Sequence, residues 1–242
     1  MNDIELIKKY VPENLQDEAI NKLKLGYPVQ YIIGNVEFYY NIIEINEDVL
    51  IPRFETEYLV DKTIKLINNL NLKKTKILEI GTGSGCISIA LKKNLDCNIT
   101  AIDISEKALN VAKKNAINNN VDINFIEADI HNFKMEEKYD VIISNPPYVP
   151  FDGKIDEKIK YEPDIAIYAP DKGLYFYKLI LDKIKNNLKE KYLIAFEIGD
   201  NEGKEIIEYT KKVLPKSFIK FEKDYNNYDR YIFISSEEEI LN

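Results

Sequence analysis

An Asn-Pro-Pro-Tyr stretch, formed by Asn145, Pro146, Pro147 and Tyr148, follows an apolar, β-branched run at positions 139–143. The run predicts a buried parallel strand that must end here, because proline lacks the N–H that a sheet requires. Asn145 would then be held rigidly at a strand end, with its side-chain oxygen and a neighbouring backbone carbonyl as two acceptors. Two converging acceptors suit a planar NH2 group, and Tyr148 would supply an aromatic face beside them. In isolation, the same stretch is more often a strand-terminating turn with a buried Tyr.

A glycine loop follows another predicted strand, at positions 76–80. The loop consists of Gly81, Thr82, Gly83, Ser84 and Gly85. Closely spaced glycines let a backbone approach a ligand and leave the first amides of the next helix free to bind it. A dinucleotide-binding loop would have its third glycine at position 86, where this chain has Cys86, and this difference argues against NAD.

Acidic residues follow the next two predicted strands. Asp103 ends a strand at positions 98–103, roughly 20 residues after the glycine loop, where a carboxylate can accept hydrogen bonds from both hydroxyls of a ribose. Asp129 follows a strand at positions 123–127 and could bind an adenine amino group. Each acid alone could be a solvated side chain. Together with the glycine loop, however, they place such features at three successive strand ends, which favours a site for a nucleoside-like ligand.

From position 74 onward, strands and helices alternate, which is typical of an α/β protein with a doubly wound sheet covered on both faces. Seven strands are predicted, at positions 76–80, 98–103, 123–127, 139–145, 192–197, 218–221 and 230–234. The last two are joined tightly, which requires an antiparallel pair. If the strand order reverses after the third strand, the first and fourth strands are neighbours, and the glycine loop and Asn145 face one crevice.

Three parts of the chain are expected. Positions 1–26 predict a short segment of two helices, and positions 27–52 predict a β-hairpin linker made of runs at 27–34 and 36–46. Positions 53–242 are expected to form the α/β domain, which begins with a helix at about 55–70. Leu59, Thr63, Leu66 and Leu70 share one face of this helix, which predicts a buried stripe. The domain's other helices are predicted at about 86–93, 106–118, 173–188 and 202–213.

Composition limits the classes of partner. The net charge of -8 argues against a protein that wraps a nucleic-acid backbone, so no direct nucleic-acid partner is expected.

The sequence lacks a membrane-length apolar run and signal-peptide features, and a cytoplasmic monomer with no membrane partner is expected. Cys86, Cys97 and His131 are the only cysteines and histidine, too few soft ligands for a dedicated zinc site. No metal is expected, and His131 is assigned to the surface.

These motifs resemble those of known enzymes. The loop at 79–85 with Asp103 resembles the S-adenosylmethionine loop of class I methyltransferases. The Asn-Pro-Pro-Tyr stretch resembles the catalytic motif of those that methylate amide or exocyclic amine nitrogens. With PVQYIIG at 28–34 and LIPRFETE at 50–57, the chain is similar to the peptide chain release factor N5-glutamine methyltransferase family, although Phe54 stands where that family usually has proline.

The resemblance implies a Rossmann-like class I methyltransferase fold and S-adenosyl-L-methionine as cofactor. It implies methylation of the glutamine side-chain nitrogen in the Gly-Gly-Gln motif of peptide chain release factors, which would be the protein partner. By the same resemblance, Asn145 to Tyr148 hold the substrate glutamine. The cofactor would be lined by Gly81, Thr82, Gly83, Ser84, Gly85, Asp103, Asp129, Ile130 and Asn145.

Other functions stay open at this point. A glutamine of a ribosomal protein would need the same acceptors, and so would the N6 amino group of adenine in a nucleic acid. The acidic balance and the lack of an extra target-recognition domain count against adenine. A catalytically silent module that binds a release factor is the third possibility, but the intact glycine loop and Asn145 motif argue against lost chemistry.

Overall fold

The structure, a computed structural model, describes residues 2–70, 72–153 and 157–242. Its strands are β1 Asn35–Phe38, β2 Asn41–Glu44, β3 Thr75–Ile80, β4 Cys97–Asp103, β5 Asn124–Glu127, β6 Tyr139–Ser144, β7 Leu188–Glu197, β8 Phe218–Lys223 and β9 Asp229–Ser235. Its α-helices are α1 Asp3–Tyr10, α2 Gln16–Lys24, α3 Val29–Ile33, α4 Phe54–Leu70, α5 Cys86–Asn94, α6 Glu106–Asn118, α7 Tyr175–Ile184 and α8 Gly203–Val213. None of the helices in these ranges has the length and apolar character needed to cross a bilayer.

The main sheet confirms the predicted fold class. Within the described residues it has seven strands in the order β5-β4-β3-β6-β7-β9-β8. Strand β3 pairs in parallel with β4 and β6, so the order reverses after the third strand of the sheet, as expected. The last strand, β9, runs antiparallel to β7 and to β8. The carboxyl ends of β3, β4, β5, β6 and β7 therefore share one edge of the sheet.

Apolar clusters cover both faces of this sheet. Adjacent residues of a strand point to opposite faces, and Ile77 and Leu78 accordingly belong to different clusters. Helix α4 lies on the Ile77 face, and its predicted buried stripe is confirmed, since Leu59, Thr63, Leu66 and Leu70 are all buried. Strand β6, which leads to Asn145, is buried along its whole length. The strand that carries the candidate site is thus fixed on both sides.

Two predicted elements differ from the structure. The run at 27–34 is not the first strand of a hairpin, because Val29–Ile33 forms helix α3. Pro28 suits the start of a helix and Gly34, with φ of 85°, ends it, and these local signals outweigh the β-branched content. The hairpin lies in the second run and begins one residue before it, where β1 pairs with β2. The predicted helix at 173–188 ends at Ile184, because Leu188 already pairs with Tyr139 in the sheet.

The helices predicted at the amino end are present. Helices α1, α2 and α3 pack around Ile7, Ala19 and Val29. The hydroxyl of Tyr161 donates to the Leu25 carbonyl at 3.0 Å and connects this small cluster to the loop that follows β6.

Candidate active site

A cleft of about 220 Å³ opens at the carboxyl ends of β3, β4, β5 and β6. Segments 48–56 and 163–166 contribute residues to its opposite wall. Ten of the residues predicted for the site line this cleft: Gly81, Thr82, Gly83, Ser84, Asp103, Asp129, Ile130, Asn145, Pro146 and Pro147. The topology therefore brings the glycine loop and the Asn145 motif into one crevice, as the strand order predicted.

The glycine loop has a backbone that other residues adopt poorly. Gly81 and Gly83 have φ values of 75° and 54°, in the left-handed region. A Cβ added at either position would meet no protein atom within 4 Å, so protein packing does not exclude a side chain there. Because both glycines line the cleft, they leave space beside the backbone for a ligand.

Buried hydrogen bonds connect the glycine loop to the elements on either side of it. Thr82 Oγ1 donates to Glu79 Oε2 at 2.8 Å, and the Ser88 hydroxyl donates to the same oxygen. Glu79 is fully buried at the end of β3, and burial raises the pKa of its carboxyl to about 7. The loop is thus tied to the strand before it and to helix α5 after it.

Asp103 is placed to bind a ligand with two hydroxyl groups. Its Oδ2 accepts the Gly83 N–H at 2.8 Å, and its Oδ1 accepts the Ser105 N–H at 2.9 Å. Burial raises the pKa of Asp103 even though these hydrogen bonds lower it. A carboxylate oxygen has more than one lone pair, so both oxygens can still accept from the cleft. These two acceptors fit the paired hydroxyls of a ribose.

Asp129 belongs to a polar chain on the cleft wall. Its Oδ1 accepts the His131 N–H at 2.9 Å and lies 2.5 Å from the His131 ring Nδ1, and these contacts lower the pKa of Asp129. The other ring nitrogen is 2.7 Å from the Tyr175 hydroxyl. His131 is exposed, as predicted, yet it also lines the cleft. Asp129 can offer its second oxygen to an amino group of a ligand.

Asn145 is the polar group at the centre of the predicted chemistry. Its Nδ2 donates to Thr56 Oγ1 at 3.2 Å, and Thr56 Oγ1 donates to Glu197 Oε2 at 2.7 Å. Burial raises the pKa of Glu197 to about 7, while hydrogen bonds from Thr56 and Asn145 lower it. No described residue donates to Asn145 Oδ1, so this oxygen is available as an acceptor.

Of the described residues predicted for the site, Gly85 and Tyr148 lie outside the cleft wall. Gly85 instead packs against helix α6, where an added Cβ would lie 3.1 Å from the Ala112 Cβ. Tyr148 packs against the core cluster on the α7 face of the sheet, and burial raises the pKa of its hydroxyl above the usual range. Tyr148 is half-buried and does not line the cleft.

The structure adds residues to which the sequence assigned no role. Arg53 lines the cleft and forms an ion pair with the buried Glu162, whose other oxygen accepts the Ile51 N–H at 3.0 Å. This contact joins segment 48–56 to the loop that follows β6. Thr56 lines the cleft, and Glu197 is buried behind it. Glu197 ends a predicted strand, the same signal that singled out Asp103.

The fold is that of class I methyltransferases. A family model described as the methyltransferase small domain matches residues 56–160. A methyltransferase structure from Pyrococcus furiosus has the same fold, with 19% identity and a TM-score of 0.59 over 93% of this chain and 99% of that one. The plantazolicin methyltransferase BpumL, solved with SAH, aligns with 16% identity and a TM-score of 0.53 over 76% of this chain and 85% of that one. S-adenosyl-L-methionine is the cofactor of this class, as the sequence led us to expect.

Sequence relatives identify the family. The release factor glutamine methyltransferase of Flavobacterium psychrophilum is 43% identical over 90% of this chain and 79% of its own length. That of Streptococcus pneumoniae is 37% identical over 96% of this chain and 81% of its own length. The chain belongs to the release factor glutamine methyltransferase family.

Replacing Asp103 by Ala should weaken binding of S-adenosyl-L-methionine by about 1.5–3 kcal/mol, the range for hydrogen bonds to a charged group. Isothermal titration calorimetry measures this change. Asp96, an exposed acid just before the other end of β4, provides the matched control, and Asp96→Ala should bind normally. Unchanged affinity in a folded Asp103→Ala variant would remove Asp103 from the cofactor site.

Proposed function

We propose that this protein transfers a methyl group from S-adenosyl-L-methionine to the side-chain amide nitrogen of the glutamine in the Gly-Gly-Gln motif of peptide chain release factors. The observation that carries the proposal is the orientation of Asn145. Its Nδ2 is bound to Thr56, and its Oδ1 is free to accept a hydrogen bond from a substrate NH2 group. Because release factors act in the cytoplasm, the proposal includes the cytoplasmic location expected from the sequence.

The substrate nitrogen needs help because an amide lone pair is delocalised into the carbonyl. Asn145 Oδ1 and the Pro146 carbonyl would accept the two amide hydrogens and aim the nitrogen at the reacting carbon. The same two oxygen dipoles would stabilise the positive charge that develops on nitrogen. The methylated nitrogen then loses one proton to water, so no strong base is required.

The bound cofactor would supply an electrophilic methyl group on a sulfonium. Asp103 would hold the ribose hydroxyls, Asp129 the adenine amino group, and the glycine loop would approach the cofactor through its backbone. The acids on the cleft wall, Asp48, Asp103 and Asp129, also favour a cationic ligand over a neutral one. These residues therefore fit both the polar groups and the charge of the cofactor.

A methylation assay with several substrates tests the proposal. The purified protein and methyl-labelled cofactor are offered a release factor, a ribosomal protein and DNA in parallel. We expect label in the release factor alone, on the glutamine of its Gly-Gly-Gln motif as located by mass spectrometry. A release factor with that glutamine replaced by Ala is the control. Label in the ribosomal protein or in DNA, with none in the release factor, would overturn the proposal.

Intact release factor should be a better substrate than a short Gly-Gly-Gln peptide, by about tenfold or more in kcat/KM. The reason is that contacts remote from the reacting atoms contribute to orienting the glutamine. Exposed aromatic side chains that could make such contacts are present beside the cleft segments, at Phe54 and Phe151. Initial rates with both substrates measure the ratio, and equal kcat/KM values would show that remote contacts contribute nothing.

A further inference from the structure

We propose that Thr56 and Glu197 are positioning residues that fix the side-chain amide of Asn145 with its oxygen facing the substrate. The inference rests on the proposed function, because it concerns how the same acceptor is held. Neither residue needs to touch the substrate glutamine or the reacting atoms. Glu197 acts on Asn145 through Thr56. A hydrogen bond from Asn145 itself, which lowers the pKa of Glu197, favours the same orientation of the amide.

The fold brings the three residues together from distant parts of the chain. Strands β6 and β7 are parallel neighbours, with Ser144 paired to Phe196, so Asn145 and Glu197 follow side by side at the same edge. Thr56 comes from the first turn of helix α4, which packs on the face beside them. Thr56 is 3% exposed and Glu197 is 1% exposed, so water does not compete for these hydrogen bonds.

The number of hydrogens decides which way the Asn145 amide points. A threonine hydroxyl has one hydrogen, and here it is donated to Glu197 Oε2 at 2.7 Å. The hydroxyl oxygen can then only accept, so Asn145 must present its NH2 group at 3.2 Å. A flipped amide would place Oδ1 against an oxygen that has no hydrogen to give. The ionised carboxylate therefore excludes the flipped amide.

Protonation of Glu197 removes this constraint. A neutral carboxyl can donate to Thr56 Oγ1, and the hydroxyl can then donate to Asn145 Oδ1 in the flipped amide. The Asn145 NH2 group would face the substrate NH2 group, and neither could accept. Burial raises the pKa of Glu197 to about 7, so the two states exchange near neutral pH. The ionised form is the active one, and the rate should rise as pH increases through about 7.

Other groups around Glu197 influence this titration. Arg230 of β9 favours the ionised form, and Glu55 of α4 disfavours it. The other titratable neighbours are the thiol of Cys86 and the hydroxyls of three tyrosines. Their pKa values are raised, so they are neutral in this pH range. The charged and titratable groups that face Glu197 are Glu55, Cys86, Tyr148, Tyr177, Arg230 and Tyr231. Burial is the largest cause of the shift at Glu197, and burial also raises the pKa of Glu79 and Glu202 to about 7. The Glu197→Gln variant therefore assigns the titration to Glu197.

The test is single-turnover methylation of release factor at saturating cofactor, from about pH 5.5 to about pH 8.5. The wild-type rate should increase about tenfold per pH unit below the midpoint and then level off. Glu197→Gln should lose this rise and be about 10- to 100-fold slower at the upper pH, with normal cofactor affinity. Thr56→Val should be slowed similarly, while Thr56→Ser keeps the hydroxyl and should keep most of the rate.

Thr63 supplies a matched control on the same helix. It is fully buried and its hydroxyl has no partner among the described residues, so Thr63→Val should retain the wild-type rate and pH profile. If Glu197→Gln does not fold, the comparison of Thr56→Val with Thr56→Ser carries the test. Equal rates in those two variants, or a wild-type pH profile in folded Glu197→Gln, would overturn the inference and leave the proposed function standing. A wild-type protein that does not methylate release factor would overturn the proposed function instead.

Discussion

Asn145→Ala should reduce single-turnover methylation of release factor by about 10²-fold or more, the usual effect of removing one positioned acceptor from an active site. The fold should survive, because Pro146, Pro147 and the buried strand β6 still form the turn. Cofactor affinity should change little compared with Asp103→Ala, since Asp103 is the residue proposed to hold the ribose. Quench-flow measurement of methyl transfer at saturating cofactor separates the chemical step from binding.

Two further variants make this result specific. Asn145→Asp retains an oxygen acceptor and should retain more activity than Asn145→Ala. Tyr148→Phe removes only a hydroxyl from a partly buried ring that packs against the core, so it should stay close to the wild-type rate. Methylation by Asn145→Ala at nearly the wild-type rate would show that the two-acceptor mechanism is wrong and that the motif is only a rigid turn.

The polar residues at the strand ends could be predicted from local sequence patterns. Polar residues that directly follow buried β-rich runs, such as Asp103 and Asn145, reach the same edge because the strands are parallel. The strand order was inferred from the general rule for reversal in doubly wound sheets, and the observed neighbours β3 and β6 follow it. Periodicity likewise identifies the buried stripe of helix α4. The strand-end residues and the helix stripe were inferred from residues close in sequence, whereas the strand order came from the general rule.

Contacts between distant residues were not predictable in the same way. Thr56 and Glu197 are 141 positions apart, and nothing in either segment alone indicates that they meet. The side on which Tyr148 lies depends on the backbone path after Pro147, which proximity in sequence does not determine. Tyr148 packs against the core cluster on the α7 face and does not line the cleft. Helix α3 differs for a local reason. Its β-branched residues predicted a strand, but the proline before it and the glycine after it favour a helix.

Gly173→Ala should destabilise the fold by about 2–5 kcal/mol, the combined cost of a left-handed non-glycine residue and of overpacking. Gly173 has φ of 93°, and a Cβ added there would lie 2.0 Å from Glu202 Oε1 and 2.3 Å from the Tyr148 carbonyl oxygen. Glu202 is buried and accepts the Gly199 N–H at 2.8 Å, so it cannot move aside without breaking that bond. Urea unfolding followed by circular dichroism measures the loss.

Gly34→Ala separates the two causes of this loss. Gly34 has a similar φ of 85°, but an added Cβ would meet nothing within 4 Å, so only the backbone cost of about 1–2 kcal/mol should remain. The difference between the variants then measures the contact of Gly173 with the Tyr148 backbone and Glu202. Because that contact lies directly after the Asn-Pro-Pro-Tyr turn, Gly173→Ala should also slow methylation in the protein that stays folded. Equal stability losses in the two variants would mean that the turn is not held by close packing at Gly173.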